Sequence, residues 1–156
     1  MHDIGFAQHD HAACVASALA SAETTCAAEK LQLTPTRRRV LEILLEEHRA
    51  MGAYDILAIL ASEGIGSQPP VVYRALDFLV TNGFVHKIEK LNAYLACTHP
   101  GEDHSPVFMI CRACGAVAES SMPLADLRRS AESTGFLIET TVLEIEGLCP
   151  ACREAA

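Results

Sequence analysis

The stretch Ser67 to Cys97, SQPPVVYRALDFLVTNGFVHKIEKLNAYLAC, decides the fold of the N-terminal half, because its hydrophobic period changes once along its length. Behind Pro69-Pro70, which suit a first helical turn, Val72, Leu76 and Leu79 recur at helical spacing until Asn82-Gly83 stops them. From Phe84 the period falls to two. Phe84 to Ile88 and Ala93 to Cys97 read as β-runs joined by a turn at Lys90-Leu91-Asn92. A helix that feeds a two-stranded ribbon is the closing part of a winged helix-turn-helix, and the upstream residues supply its other helices. Thr34 caps and Pro35 starts a helix striped by Val40, Leu41, Ile43 and Leu44. After Gly52 a shorter helix is expected to bury Tyr54, Leu57, Leu60 and Ala61, and Gly64 and Gly66 end it. Ala12 to Glu29 is Ala-rich and poor in large apolar side chains, so it reads as a thin helix that adds little core. Residues 1 to about 12 read as an arm, and His2, His9 and His11 with Cys14 are candidates for a weak metal-binding tail.

Working outward in the other direction, residues 98 to 106 form a loop or hinge rich in Pro and Gly. Val107 to Ile110 and Ala116 to Glu119 read as strands, Leu124 to Ser133 as a helix, and Phe136 to Glu146 as one long strand with a bulge near Val142. The fold class is therefore α+β: an N-terminal arm and winged-helix domain over residues 1–90, then a hinge and small α/β domain over 91–156. The second part has open sheet edges and too few residues for a large core. Pairing with a second copy is the expected remedy.

Cys111 and Cys114, then Cys149 and Cys152, form two Cys-x-x-Cys pairs. Two such turns brought together provide four soft thiolates, the tetrahedral set of a structural zinc. The 34 residues between the pairs exceed ribbon spacing, so a small sheet or helix has to lie between them. A redox dithiol in either pair, or two disulfides in an exported chain, are the competing readings. No cationic segment leads into an apolar run at the N-terminus, and no stretch approaches the ~18 uninterrupted apolar residues of a membrane span, so a cytoplasmic location is expected.

A net charge of −8 argues against coating nucleic acid by charge alone, and leaves specific binding through a few gathered cations. Arg37, Arg38 and Arg39 stand in the first turns of a helix, where the macrodipole disfavours cations unless an anion such as a DNA phosphate offsets it. The alternative is a solvated face. Tyr73 and Arg74 lie one turn inside the helix before the ribbon, where a recognition helix exposes base-reading side chains. Alternatively, Tyr73 packs on the wing and Arg74 pairs with Asp77. A second ligand set is spread around the junction: His86, Cys97, His104 and Glu119 would give zinc one sulfur, two nitrogens and one oxygen, with His99, Glu102 and Asp103 as competing donors.

Taken together, Leu33-Thr34-Pro35 with the Arg run, Pro69-Pro70-Val71-Val72-Tyr73-Arg74-Ala75-Leu76-Asp77-Phe78-Leu79, Gly83-Phe84-Val85-His86-Lys87 and Cys111-x-x-Cys114-Gly115 resemble the Fur family of metalloregulators, and within it the zinc-uptake branch. The resemblance runs from about Ala13 to Cys152, with Val71 where Thr is common. It implies a homodimeric repressor, not an enzyme, that binds a double-stranded palindromic operator and takes no small-molecule substrate. It implies two Zn(II) per chain: a structural ion on Cys111, Cys114, Cys149 and Cys152, and a regulatory corepressor ion on His86, Cys97, His104 and Glu119. Arg37, Arg38, Tyr73 and Arg74 remain the candidate DNA contacts. The same fold sensing iron, manganese, nickel or peroxide is the nearest alternative. A zinc enzyme and a zinc-stabilised interaction module without a DNA role are more distant ones.

Overall fold

A computed structural model describes residues 11–47, 49–66, 68–97 and 106–156. They fall into two compact units, one within Ala7–Glu102 and the other within Asp103–Ala156. The expected arm at His2 and His9, and the hinge donors His99, Glu102, Asp103 and His104, lie outside the described residues.

The N-terminal unit comprises α1 (His11–Ala28), α2 (Pro35–Glu46), α3 (Ala53–Ser62), α4 (Pro69–Thr81), β1 (Val85–Ile88) and β2 (Ala93–Ala96). Thr34 caps α2, its side chain accepting from the Arg37 N–H at 3.3 Å. Helices α3 and α4 are each followed by a glycine at positive φ, Gly64 at +72° and Gly83 at +77°, a conformation that strains residues with a Cβ. After α4 the Gly83 N–H donates to Val80 O and the Phe84 N–H to Leu79 O, with Gly83 at φ +77°. That paired closure turns the chain directly into β1. Asn92 takes φ +45° in the β1–β2 turn, the role a hairpin glycine usually fills.

Val40, Leu41, Ile43 and Leu44 of α2 and Val72, Ala75, Leu76 and Leu79 of α4 are buried, as their spacing predicts, and they pack with Phe84, Val85 and Tyr94 of the ribbon. Two expectations are corrected. The buried face of α3 is Ala53, Ile56 and Leu60, while Tyr54 is 68% exposed. The buried stripe runs through Ala53 and Ile56, one position before Tyr54 and Leu57, and shares Leu60 with the expected one. The Ala-rich helix α1 also joins the core, through Leu19, Ala22 and Cys26. Small side chains there let α1 lie close against α2. The ribbon pairs Val85 with Ala96, His86 with Leu95 and Ile88 with Ala93. The boundary expected at residue 90 falls in the turn of this hairpin, and the ladder keeps both strands in the N-terminal unit.

The C-terminal unit holds β3 (Pro106–Cys111), β4 (Val117–Ser121), α5 (Ala125–Ser133), β5 (Leu143–Gly147) and α6 (Pro150–Glu154), its sheet ordered β4-β3-β5. Strand β3 pairs antiparallel with β4 and parallel with β5. The long strand predicted over Phe136–Glu146 is corrected: only Leu143–Gly147 is extended in a ladder. A strand exists where a neighbour accepts its hydrogen bonds, and in the parallel register Leu143 already stands opposite Val107, one residue from the start of β3, so residues 136–142 run past the end of that strand. Phe136 and Leu137 are instead 65% and 79% exposed.

Candidate metal centres and nucleic-acid surface

Parallel pairing assembles the four cysteines. The β3–β5 register sets Cys111 opposite Gly147, so the chain leaving β5 reaches Cys149 beside the end of β3. The turn after β3 is closed by Cys111 N–H to Ala116 O at 2.8 Å and Gly115 N–H to Cys111 O at 2.9 Å, with Gly115 at φ +75°. On the other side Cys149 is the N-cap residue of α6, and Cys152 stands one turn into that helix. Strand β4, helix α5 and strand β5 fill the 34 residues between the pairs.

All four Sγ atoms lie within 4.8 Å of one another. Cys114 Sγ and Cys149 Sγ are 3.8 Å apart. A tetrahedron with Zn–S bonds of ~2.3 Å has an edge of about 3.8 Å, so the donors match zinc in both type and spacing. The protonation pattern points the same way. Backbone N–H groups of Cys149 and then Cys114 stabilise the Cys111 thiolate and draw its pKa down to about 6. Hydrogen bonding with Cys149, Cys114 and Cys111 pushes Cys152 up to about 12. Four crowded thiols cannot all ionise unless a cation joins them.

In the N-terminal unit, the donor atoms of His86 and Cys97 lie within 4.8 Å of each other. Cys97 follows β2 and donates its N–H to Phe84 O at 2.9 Å, extending the ladder by one pair. It is thus the diagonal neighbour of His86 on one face of the ribbon. The thiol is buried and the imidazole half-buried. In the C-terminal unit Glu119 sits on β4 opposite Phe108 and is 3% exposed. A buried carboxylate needs a donor or a cation to hold its charge.

On α4, Arg74 is exposed and its Nε donates to Pro70 O at 3.2 Å. Among the described residues it pairs with no carboxylate, so the expected alternative partner, Asp77, does not claim it. Tyr73 is 40% exposed and lines a shallow apolar notch with Tyr54, Leu57, Pro69 and Val72, between α3 and α4. Tyr54 belongs to this surface and was assigned to the interior by its spacing. The arginines of α2 are tied down. The Arg37 guanidinium lies 3.9 Å over the Phe78 ring and donates to Gln32 O at 2.6 Å. Arg38 pairs with Glu23 of α1 and with Glu42, and Arg39 with Glu42, Glu46 and, through two nitrogens, Glu63. The anions that offset the helix dipole are therefore supplied within the chain. Hydrogen bonding to Glu63 raises the Arg39 pKa, and the same contact lowers that of Glu63.

Residues 28–146 match the ferric uptake regulator family. The chain is 41% identical over 139 residues to the zinc uptake regulation protein of Escherichia coli (strain K12), which covers 87% of this chain and 81% of that protein. Its fold matches the structure of a zinc uptake regulator complexed with zinc and DNA, with a TM-score of 0.85 and 40% identity over 90% of this chain and 96% of that one. It matches holo XcZur at a TM-score of 0.81 and 38% identity, over 90% of this chain and 99% of the other. Among the described residues no helix is long and apolar enough to cross a membrane. With the family match spanning most of the sequence, the chain belongs to the ferric uptake regulator family.

Proposed function

We propose that this protein is a cytoplasmic zinc-responsive transcriptional repressor that works as a homodimer on palindromic operators of zinc-uptake genes. The observation that carries the reading is its likeness, over nearly the whole chain, to a regulator bound to zinc and DNA. It is a regulator and not an enzyme, as its family implies. Each chain takes two zinc ions. Cys111, Cys114, Cys149 and Cys152 hold one as a permanent clasp, whose binding free energy becomes folding free energy of the C-terminal unit. His86, Cys97, His104 and Glu119 hold the other as the exchangeable corepressor.

When bound, zinc supplies closed four-coordinate links and no open position for chemistry. The wing contributes His86 and Cys97 to the second set, whereas His104 and Glu119 come from beyond Glu102. Holding all four on one ion ties the reading head to the dimerisation unit. Two α4 helices of a dimer are then fixed at the separation of half-sites about one helical turn, ~34 Å, apart. Arg74 reads a base edge bidentately and Tyr73 packs beside it. Arg37 and Arg38 meet the backbone. The thiolate of Cys97 favours zinc over iron or manganese, which prefer oxygen and nitrogen donors. By linkage, operator DNA tightens binding of the exchangeable zinc by the same factor that zinc tightens DNA binding.

The test is operator binding by gel shift with zinc, iron, manganese and nickel in competition, alongside zinc content before and after mild chelation. Only zinc restores binding, and one of two ions per chain is removable. Cys97→Ser leaves a folded dimer that ignores added zinc, and Arg74→Ala leaves a dimer that no longer binds. A metal-free wild type with undiminished operator affinity, or Cys97→Ser with wild-type affinity, overturns the scheme.

A further inference from the structure

The charge arrangement at the start of α2 carries a consequence for how strongly DNA is held. From residue 11 to residue 97 the chain has nine carboxylates and eight Lys or Arg, so the unit with the reading helix has no surplus of positive charge. Four of those carboxylates, Glu23, Glu42, Glu46 and Glu63, are committed to two cations, Arg38 and Arg39. The two arginines are held differently. Arg39 is gripped by three carboxylates, its side chain 23% exposed. Arg38 is 42% exposed and has two partners. One of these, Glu42, gives Oε1 to Arg38 and Oε2 to Arg39 and is fixed by both. The other, Glu23, comes from α1, is 49% exposed, and among the described residues pairs with Arg38 alone.

We propose that Glu23 is an internal competitor for a DNA phosphate at Arg38, so that α1 lowers the strength of backbone binding and leaves base readout untouched. The proposal rests on the reading of the chain as a DNA-binding regulator. A phosphate arriving near the N-terminal turns of α2 meets a guanidinium whose outward contact is already a carboxylate. Arg38 keeps Glu42 and exchanges Glu23 for the phosphate. The released Glu23 then draws a cation from solution, which cancels part of the counterion release that drives binding. Phosphate contacts carry no sequence information, so operator and random DNA are weakened alike. For an acidic repressor this device keeps non-specific occupancy low while Arg74 and Tyr73 retain their discrimination.

The experiment compares wild type, Glu23→Gln, Arg38→Gln and the double variant as zinc-loaded full-length dimers, titrated with operator duplex and with random-sequence duplex over a range of salt. Breaking one exposed ion pair is expected to tighten Glu23→Gln about two- to fivefold for each Arg38 engaged. Its salt dependence becomes steeper by up to ~0.9 in log K against log salt per Arg38. The ratio of operator to random affinity stays the same. In the Arg38→Gln background the gain vanishes, as a coupled pair requires. Glu23→Gln with unchanged or weaker DNA binding overturns the proposal while the repressor reading stands. So does a gain that persists without Arg38, which would mark a general charge effect. A wild-type dimer that binds neither duplex overturns both.

Discussion

Replacing Cys111 by Ser tests the zinc clasp proposed for the C-terminal unit. The side chain is buried at the end of β3, and its loss leaves three thiolates around a site shaped for four. A structural zinc contributes ~10–16 kcal/mol in small zinc domains, so one of four sulfur ligands carries roughly 3–4 kcal/mol. That is about a 10²- to 10³-fold loss of zinc affinity. The unit has few other resources. Its large buried apolar side chains are Val107, Phe108, Ile110 and Val117, each contributing roughly 1.5–3 kcal/mol against the ordering of the rest. Cys111→Ser is therefore expected to lose zinc to a weak chelator and to unfold the C-terminal unit selectively. The assay separates the two units. The chain has no tryptophan, and its three tyrosines, Tyr54, Tyr73 and Tyr94, all lie in the N-terminal unit, so tyrosine fluorescence follows that unit while far-ultraviolet circular dichroism follows both. Dichroism should fall and zinc should leave while the tyrosine transition stays near wild type. A variant that keeps full zinc content through chelation and unfolds as wild type does would refute the reasoning.

Leu76→Ala removes a fully buried side chain where α4 meets α2, and it should lower stability by ~2–5 kcal/mol in denaturant unfolding followed by tyrosine fluorescence. Thr34→Ala deletes the α2 cap, and about 1 kcal/mol of stability should go with it in the same assay. The folded-state pKa of Glu63 is lowered by Arg39, so this contact adds stability above the unfolded carboxyl pKa and loses it as pH falls through the folded value. Glu63→Gln should accordingly be less stable than wild type near neutrality and should converge on it in acid; a constant difference at all pH values would show that the carboxylate charge is not what Arg39 uses.

Parts of the candidate site are legible residue by residue. The two Cys-x-x-Cys turns, the positions of Tyr73 and Arg74 beside the buried stripe of α4, and the placing of His86 and Cys97 on the two strands of the ribbon follow from turn chemistry and from periods of 3.6 and 2. The register that makes His86 and Cys97 diagonal neighbours comes from the structure. Tyr54, Leu57 and Ala61 recur at helical spacing, and so do Ala53, Ile56 and Leu60; the pattern alone does not choose between these two overlapping stripes, and packing buries the second while leaving Tyr54 exposed. Of the partners of Arg38 and Arg39, Glu42 and Glu46 lie on the same helix within two turns, whereas the other two are not legible from local spacing. Glu23 and Glu63 are far from them in sequence, and only the packing of α1 and α3 on α2 brings them near.

The amino-acid order by itself determined the helices, their caps, the ribbon and the two cysteine turns, because each depends on neighbours within a few residues. Tertiary structure decided what joins them. It chose β5 rather than residues 136–142 as the partner of β3, and that parallel register carried Cys149 and Cys152 to Cys111 and Cys114. Hydrogen-bond ladders are satisfied by whichever edge is free in space, and no local pattern records which edge that will be.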